Sequence, residues 1–156
     1  MKFLRHIRDW ATIAMFVVLF LTLVAGIVSR YVLHAPIAWT DELAVILFIW
    51  VIFFTGGFSL PYKEHFGFDV VYDMLSLRSK RVISIVTSAG LAAVLIYSLP
   101  FVWDYISFMW RERTAALQWR YDYVYMIFPI FQVAVVLGLL RRLVRLLSPK
   151  YWEAEI

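Results

Sequence analysis

Four long apolar runs, each free of charged side chains, divide the chain. They cover residues 10–29, 43–62, 82–103 and 123–140, and each is 18 to 22 residues long. An α-helix rises about 1.5 Å per residue and the hydrocarbon core of a bilayer is about 30 Å thick, so each run suffices for one crossing. The pattern predicts an all-α integral membrane protein with four transmembrane helices, in a single membrane domain over residues 1–156.

The connection between the second and third runs has polar and apolar side chains on separate faces of a predicted helix. Polar side chains recur at helical spacing along one face, and apolar side chains follow along the neighbouring face. The polar positions are His65, Asp69, Asp73, Ser76 and Lys80, and the apolar ones are Phe66, Val70, Met74 and Leu77. This spacing predicts an amphipathic helix in the membrane interface. A helix that binds a partner protein has the same pattern.

The connection between the first and second runs carries helix-boundary residues. Pro36 interrupts helical structure, and Thr40 is placed to cap the second helix by accepting a backbone N–H hydrogen bond. Asp41 and Glu42 follow in the first turn, where the helix dipole favours negative charge. With Arg30 at the end of the first run, these carboxylates predict an ion pair between two helices, and a catalytic cluster is the weaker alternative.

Composition supports the membrane assignment. Hydrophobic residues make up 63% of the chain, against about 45–50% in ordinary globular proteins. The net charge of +4 fits membrane orientation better than nucleic-acid binding, because eleven of the fifteen Lys and Arg residues fall in the N-terminal segment, the second connection and the C-terminal segment. Basic residues collect on the cytoplasmic side, so both termini are predicted to be cytoplasmic. The first run is longer than a signal-peptide core, which predicts an uncleaved first helix.

The connection between the third and fourth runs is rich in aromatic and basic side chains. Its most prominent members are Trp110, Arg111, Arg113, Trp119 and Arg120. An aromatic belt at the outer membrane surface has this composition. Trp and Arg are also enriched among interface hot spots, so a docking surface for a periplasmic protein is the second interpretation, after the belt, and both can hold for one segment.

Catalytic and cofactor signatures are missing from the sequence. No run contains an Asp, Glu, Lys or Arg that could relay protons, and the three histidines lie outside the runs, where they cannot ligate a membrane-buried haem. His65 and Asp69 are only two of the three ligands that a metal site needs. The chain also has no cysteine and no phosphate-binding loop. We therefore predict neither an enzyme nor a bound cofactor, with a self-sufficient small channel or exporter, or a small membrane-bound enzyme, as alternative classes.

An ordered series of short motifs resembles one known family. The series runs Arg30-Tyr31-Val32, Pro36, Trp39-Thr40-Asp41-Glu42-Leu43, Leu47-Phe48-Ile49-Trp50, Gly56-Gly57 and Lys63-Glu64-His65-Phe66-Gly67-Phe68-Asp69. It is similar to the motifs of the small membrane subunit (DctQ type) of tripartite ATP-independent periplasmic (TRAP) transporters, which have four transmembrane helices. Asp41 stands where that family usually has a Glu, which keeps the charge.

The resemblance implies a role in transport across a bacterial or archaeal cytoplasmic (inner) membrane. In that family a soluble periplasmic protein captures an organic acid, and a large membrane subunit (DctM type) moves it inward, driven by a sodium gradient. The small subunit is a scaffold for the large one and helps to dock the binding protein. The resemblance makes Arg30, Trp39, Asp41, Glu42, Trp50, His65 and Asp69 candidates for structural or subunit-interface roles. The expected partners are the other two subunits and membrane lipids, with no nucleic acid.

Overall fold

The structure, a computed structural model, describes residues 2–59 and 76–148 as long helices joined by short connections. Helix α1 is Lys2–Tyr31, α2 is Ala38–Phe54, α3 is Leu77–Phe108, α4 is Tyr121–Tyr125 and α5 is Ile127–Leu147. A π-helical turn, Thr55–Ser59, extends α2, and a 3₁₀ turn, Met109–Arg111, extends α3. Four segments are long and apolar enough to cross a membrane, namely His6–Tyr31, Ala38–Gly57, Leu77–Arg111 and Tyr121–Leu147. The prediction of four transmembrane helices is confirmed.

The helices extend past the charge-free runs. Helix α3 begins at Leu77, where the Ser76 hydroxyl accepts a hydrogen bond from the Ser79 backbone N–H at 3.3 Å. Its first turns therefore include basic residues that suit a helix but not hydrocarbon. Ser76 and Lys80, assigned above to an interfacial helix, belong to the start of α3. The rest of that predicted helix, with His65 and Asp69, lies outside the described residues, so it stays a prediction.

The predicted cap of the second helix is wrong. Helix α2 begins at Ala38, two residues before Thr40. Thr40 is consequently helical, and its hydroxyl donates a hydrogen bond to the Ile37 carbonyl at 2.7 Å instead of accepting one. The side chain of Ile37, which precedes the helix, makes no capping hydrogen bond. Pro36 lies two residues before the start of the helix, and Asp41 lies in the first turn.

A proline divides the fourth transmembrane segment. Helix α4 ends at Tyr125 and α5 begins at Ile127. Pro129 has no backbone N–H, and its ring crowds the carbonyl four residues earlier, at Tyr125. The fourth charge-free run therefore corresponds to a short helix followed by a long one.

The described helices pack as two pairs that α2 and α5 join. Helix α1 packs on α2, and α3 packs on α5. The π-helical turn brings Gly56 and Gly57 against α5, where a Cβ added to Gly57 would lie 3.2 Å from the Phe131 ring. Phe53 also meets the rings of Phe128 and Phe131, with centroids 5.3 and 5.1 Å away. The absence of side chains at the two glycines thus permits the close approach between the pairs.

Small side chains line the α3 face that meets α5. Ser84, Ser88 and Ala92 are buried and lie four residues apart on one face of α3. Ala92 contacts Val135 and Leu139 of α5 in the main apolar cluster. Apolar burial drives little association in lipid, so helices associate through close van der Waals contact, which small residues allow.

The two ends of the helix array differ in chemistry. At one end, the basic end, the Arg81 side chain donates hydrogen bonds to the carbonyls of Leu146 and Leu147, at 2.9 and 3.3 Å. These are terminal carbonyls of α5 that have no partner within that helix, so Arg81 of α3 caps it. At the opposite end, the hairpin end, α1 terminates, α2 starts and the α3–α4 connection folds back on itself.

Candidate functional site

Residues 112–121 form a hairpin at the end of the helix array. Arg113 and Arg120 make an antiparallel bridge, and the Thr114 N–H donates to the Trp119 carbonyl at 2.8 Å. The Thr114 side chain is buried, and its hydroxyl accepts the Trp119 N–H at 3.0 Å. Gln118 adopts a left-handed conformation with φ 56°, which lets the chain turn within this short loop. The connection between α3 and α4 is therefore an ordered element.

Glu42 fastens this hairpin to α2. One carboxylate oxygen of Glu42, Oε2, accepts the backbone N–H groups of Ala116 and Leu117, at 2.9 and 2.7 Å. A hydrogen bond to a charged group is about twice as strong as one between neutral groups. Glu42 thus holds the hairpin tip, and it is not part of the ion pair with Arg30 that the sequence suggested.

Asp41 faces the other way, toward α1. Its carboxylate pairs with the Arg30 guanidinium at 2.5 Å, but both side chains are exposed, at 51% for Arg30 and 65% for Asp41. One turn further into the membrane, a Cβ added to Gly26 would lie only 3.0 Å from the Thr40 hydroxyl. The two helices therefore approach closely at Gly26, and the ion pair lies at the open edge of that contact.

A third link from α2 reaches the helix break described above. The Trp50 indole N–H donates to the Val124 carbonyl of α4 at 3.0 Å. Glu42, the buried Ile46 and Trp50 are four residues apart, so they share one face of α2. That face holds the hairpin and α4, while Thr40 and Asp41 hold α1. Helix α2 is consequently the element that fixes the hairpin end.

The remaining predicted residues that the structure describes lie on the exposed surface of this end, while His65 and Asp69 are outside the described residues. The rings of Trp39, Trp110 and Trp119 are about half exposed. The Arg111 guanidinium lies over the Trp110 ring, 5.4 Å from its centroid, and Arg113 donates to the Gln118 carbonyl at 3.3 Å. These side chains offer aromatic and cationic groups to solvent, lipid headgroups or a protein.

The Arg120 side chain contacts neighbouring residues of its own segment. Its guanidinium makes a bidentate pair with the Asp122 carboxylate, at 2.6 and 3.1 Å, and lies over the Tyr123 ring. The hydrogen bonds to Asp122 raise the pKa of Arg120 above its ordinary value. Among the five residues predicted for docking, Arg120 therefore serves the local structure, and the other four carry the exposed surface.

Sequence reasoning missed several residues that hold this structure together. Gly26, at the close contact between α1 and α2, was not among the predicted residues. Thr114 and Gln132 are polar and almost fully buried. A search for ionisable groups could not find them, whereas a search for any polar side chain within a run would have found Gln132. In residues 2–59 and 76–148, no three His, Cys, Asp or Glu side chains come together as a metal site.

Comparison with known proteins agrees with the motif series. Residues 19–148 match the family profile described as the DctQ component of tripartite ATP-independent periplasmic transporters. The chain is 31% identical over 75 residues to the "Sialic acid TRAP transporter permease protein SiaT" of Haemophilus influenzae (strain 86-028NP), covering 48% of this chain and 12% of that protein. It is 28% identical over 81 residues to the "C4-dicarboxylate TRAP transporter small permease protein DctQ" of Vibrio cholerae serotype O1 (strain ATCC 39315 / El Tor Inaba N16961), covering 52% of this chain and 35% of that protein.

The alignments thus span a small part of SiaT and about a third of the Vibrio protein. The profile, in contrast, spans most of this chain and includes the second half of the first membrane-crossing segment and all of the other three. The family is a component of a transporter and not an enzyme. The chain belongs to the DctQ family and is a multi-pass inner-membrane permease subunit of a TRAP transporter.

Proposed function

We propose that this chain is a scaffold subunit that does not itself transport substrate. It braces a large membrane subunit of the DctM type, which imports an organic acid together with sodium ions. The observation that carries this proposal is that the charge-free runs contain no group that titrates near neutral pH, while the chain belongs to a transporter family. A proton or ion pathway through a bilayer needs such groups or a polar lining. A supporting subunit needs neither.

The substrate class follows by analogy with the relatives. One is named for sialic acid and the other for C4-dicarboxylates, and both compounds are organic acids. A keto acid or a sulfonate would be consistent with the same small subunit. A soluble periplasmic binding protein would deliver the substrate, and membrane lipids would surround the exposed apolar faces of the helices.

We assign the hairpin end to the periplasmic side and both termini to the cytoplasm. The basis is the distribution of basic side chains, since the basic end carries Arg78, Lys80, Arg81, Arg141, Arg142 and Arg145. A periplasmic reporter fused after Thr114 should be active, and a cytoplasmic reporter fused after Ile156 should be active. Periplasmic activity at Ile156 would reverse this assignment.

The binding protein would dock partly on the exposed face of the hairpin end. Trp110, Arg111, Arg113 and Trp119 are exposed there, and Glu42 holds the hairpin that presents them. Asp104, Glu112 and Asp122 balance Arg111, Arg113 and Arg120, so net attraction is a poor explanation and specific Arg–carboxylate pairing is a better one.

The docking role is tested by uptake measured against binding-protein concentration in the assembled transporter. Truncation of a hot-spot residue costs about 2 kcal/mol or more. We expect Arg111→Glu and Arg113→Glu to raise the half-saturating concentration of binding protein severalfold or more, with the membrane complex intact. Arg78→Glu makes the same charge change on an exposed side chain at the basic end and should follow the wild-type curve. If both hairpin variants also follow it, these side chains are only a membrane belt.

A further inference from the structure

A buried group of hydrogen bonds joins α3 to α5 inside the transmembrane region. The Gln132 side chain is 1% exposed, and its Nε2 donates to the Leu95 carbonyl and to the Ser98 hydroxyl oxygen, both at 2.7 Å. The Ser98 hydroxyl in turn donates to the Leu95 carbonyl at 3.0 Å. We call these three groups the Gln132 node. Both amide hydrogens are used, while the amide oxygen, Oε1, is buried without a hydrogen-bond partner among the described residues. The reverse amide orientation would place that oxygen against the Leu95 carbonyl, and both are acceptors.

The node lies within two membrane-crossing segments, Leu77–Arg111 and Tyr121–Leu147. Ser98 belongs to the third charge-free run, 82–103, and Gln132 belongs to the fourth, 123–140. Both side chains are therefore placed within the hydrocarbon region. An amide placed there needs partners inside the protein, because the surroundings offer no water.

Both helices are weakened by proline next to the node. Pro100 lies inside α3 and removes the hydrogen bond that the Ile96 carbonyl would accept, one residue after Leu95. Pro129 of α5 lies three residues before Gln132 and follows the break at Met126. Helices kink or bend at such positions unless neighbouring groups hold them. The node therefore connects two weakened segments at the same depth.

We propose that the Gln132 node is a clamp that fixes the angle of α3 at Pro100 by tying it to α5. The α3–α5 pair then behaves as one rigid unit from the basic end to the hairpin. A rigid α3–α5 pair would give the scaffold its stiffness, so the role of the clamp in transport rests on the proposed scaffold function. Its structural test needs only the full chain in lipid nanodiscs, so the clamp and the transport role can fail separately.

Two serines of α3 provide a matched comparison for the clamp. Ser98 and Ser107 each donate to the carbonyl three residues earlier, at 3.0 and 2.9 Å, but the structure shows an acceptor role toward Gln132 only for Ser98. Ser98→Ala should lower the thermal midpoint by about 1–4 °C, Gln132→Leu should lower it by more, and Ser107→Ala should leave it unchanged. The double variant Ser98→Ala with Gln132→Leu should lose no more than Gln132→Leu alone, because the interaction is shared.

The angle of α3 can be measured directly, since the chain has no native cysteine. Spin labels on cysteines at the exposed positions Val86 and Tyr105 would be about 28 Å apart along an α-helix, on opposite sides of Pro100. We expect a narrow distance distribution in the wild type and in Ser107→Ala, and a broader or shifted one in Ser98→Ala and Gln132→Leu. Additive losses of thermal midpoint, or equal distributions in all four proteins, would overturn the clamp.

Discussion

The two helix pairs are held together by different kinds of contact. The α1–α2 pair has a close approach at Gly26 and an exposed ion pair between Arg30 and Asp41. The α3–α5 pair has a buried apolar cluster, a buried polar node at Gln132 and a cap from Arg81. Within the described residues, α1 presents apolar side chains outward along most of its length, whereas α5 has the largest buried share of the four crossing segments. The α3–α5 pair therefore combines apolar packing with buried hydrogen bonds, whereas α1 packs on α2 through a few buried side chains, Leu19, Thr22 and Ser29, and leaves the rest of its surface exposed.

The difference between the two helix pairs is consistent with the proposed scaffold function. A rigid pair can keep the hairpin in a fixed position. Helix α2 connects the hairpin to α1, because Glu42 contacts the hairpin and the adjacent Asp41 contacts α1. The exposed apolar surface of α1 is the natural place for lipid or for a partner helix. Variants that alter the contacts of α1 and α2 one at a time test this comparison.

The largest effect is expected from Gly26→Leu. Its Cβ would lie 3.0 Å from the Thr40 hydroxyl and the longer side chain would push α1 away from α2, which costs about 3 kcal/mol if overpacking acts as in soluble cores. Gly90→Leu is the control, since no atom lies within 4 Å of its added Cβ. Thermal unfolding in nanodiscs measures both. Equal midpoints for the two variants would show that the α1–α2 contact is looser than described.

The second effect concerns Glu42. Replacing it by Ala removes the acceptor for two backbone N–H groups, which then lose their charge-assisted hydrogen bonds. Hydrogen exchange at Ala116 and Leu117 should accelerate strongly in Glu42→Ala and remain near the wild-type rate in Asp41→Ala. A similar acceleration in both variants would mean that the hairpin responds to charge at the end of α2 and not to this contact.

A smaller effect is expected from Trp50→Phe, which keeps the ring but loses the hydrogen bond to the Val124 carbonyl. Hydrogen bonds between membrane helices average about 0.6 kcal/mol, with a maximum near 1.7. Trp39→Phe makes the same chemical change on an exposed side chain and should have no effect on the thermal midpoint. If Trp39→Phe is the more destabilising of the two, the link from α2 to α4 is not what holds the helix break.

The smallest effect is expected from Arg30→Ala. The Arg30–Asp41 pair is exposed on both sides, and such pairs contribute about 0–1 kcal/mol. Its contribution should shrink further as salt is raised, because exposed charges are screened. Thermal midpoints of wild type and Arg30→Ala at low and high salt should therefore converge. A large loss that persists at high salt would place this pair in a buried partner interface of the complex.

The membrane-crossing segments could be predicted from the sequence, but most of the contacts between the helices could not. A charged side chain is costly in hydrocarbon, so four charge-free runs suffice to predict four crossings. Helix ends were less predictable, because charged residues at the ends of α3 are compatible with helix outside the hydrocarbon, and because α2 begins before Thr40. The break at Met126 could have been predicted from Pro129.

The contacts of Glu42 illustrate what sequence reasoning lacks. Arg30 and Asp41 are complementary charges near each other in the chain, so their pairing was predictable. Glu42 binds backbone N–H groups more than seventy residues away, and a backbone group has no signature in the sequence. Gln132 was overlooked for another reason, since only ionisable residues were considered as functional groups within the runs.

The most direct test of the scaffold proposal is an omission series in proteoliposomes with an imposed sodium gradient. We expect no uptake of organic acid with this chain alone, and uptake when the large subunit and the loaded binding protein are also present. Uptake should also fall when this chain is left out of the complete set. Sodium-driven uptake by the chain alone would contradict the account, because the charge-free runs contain no Asp, Glu, Lys, Arg or His for such a pathway.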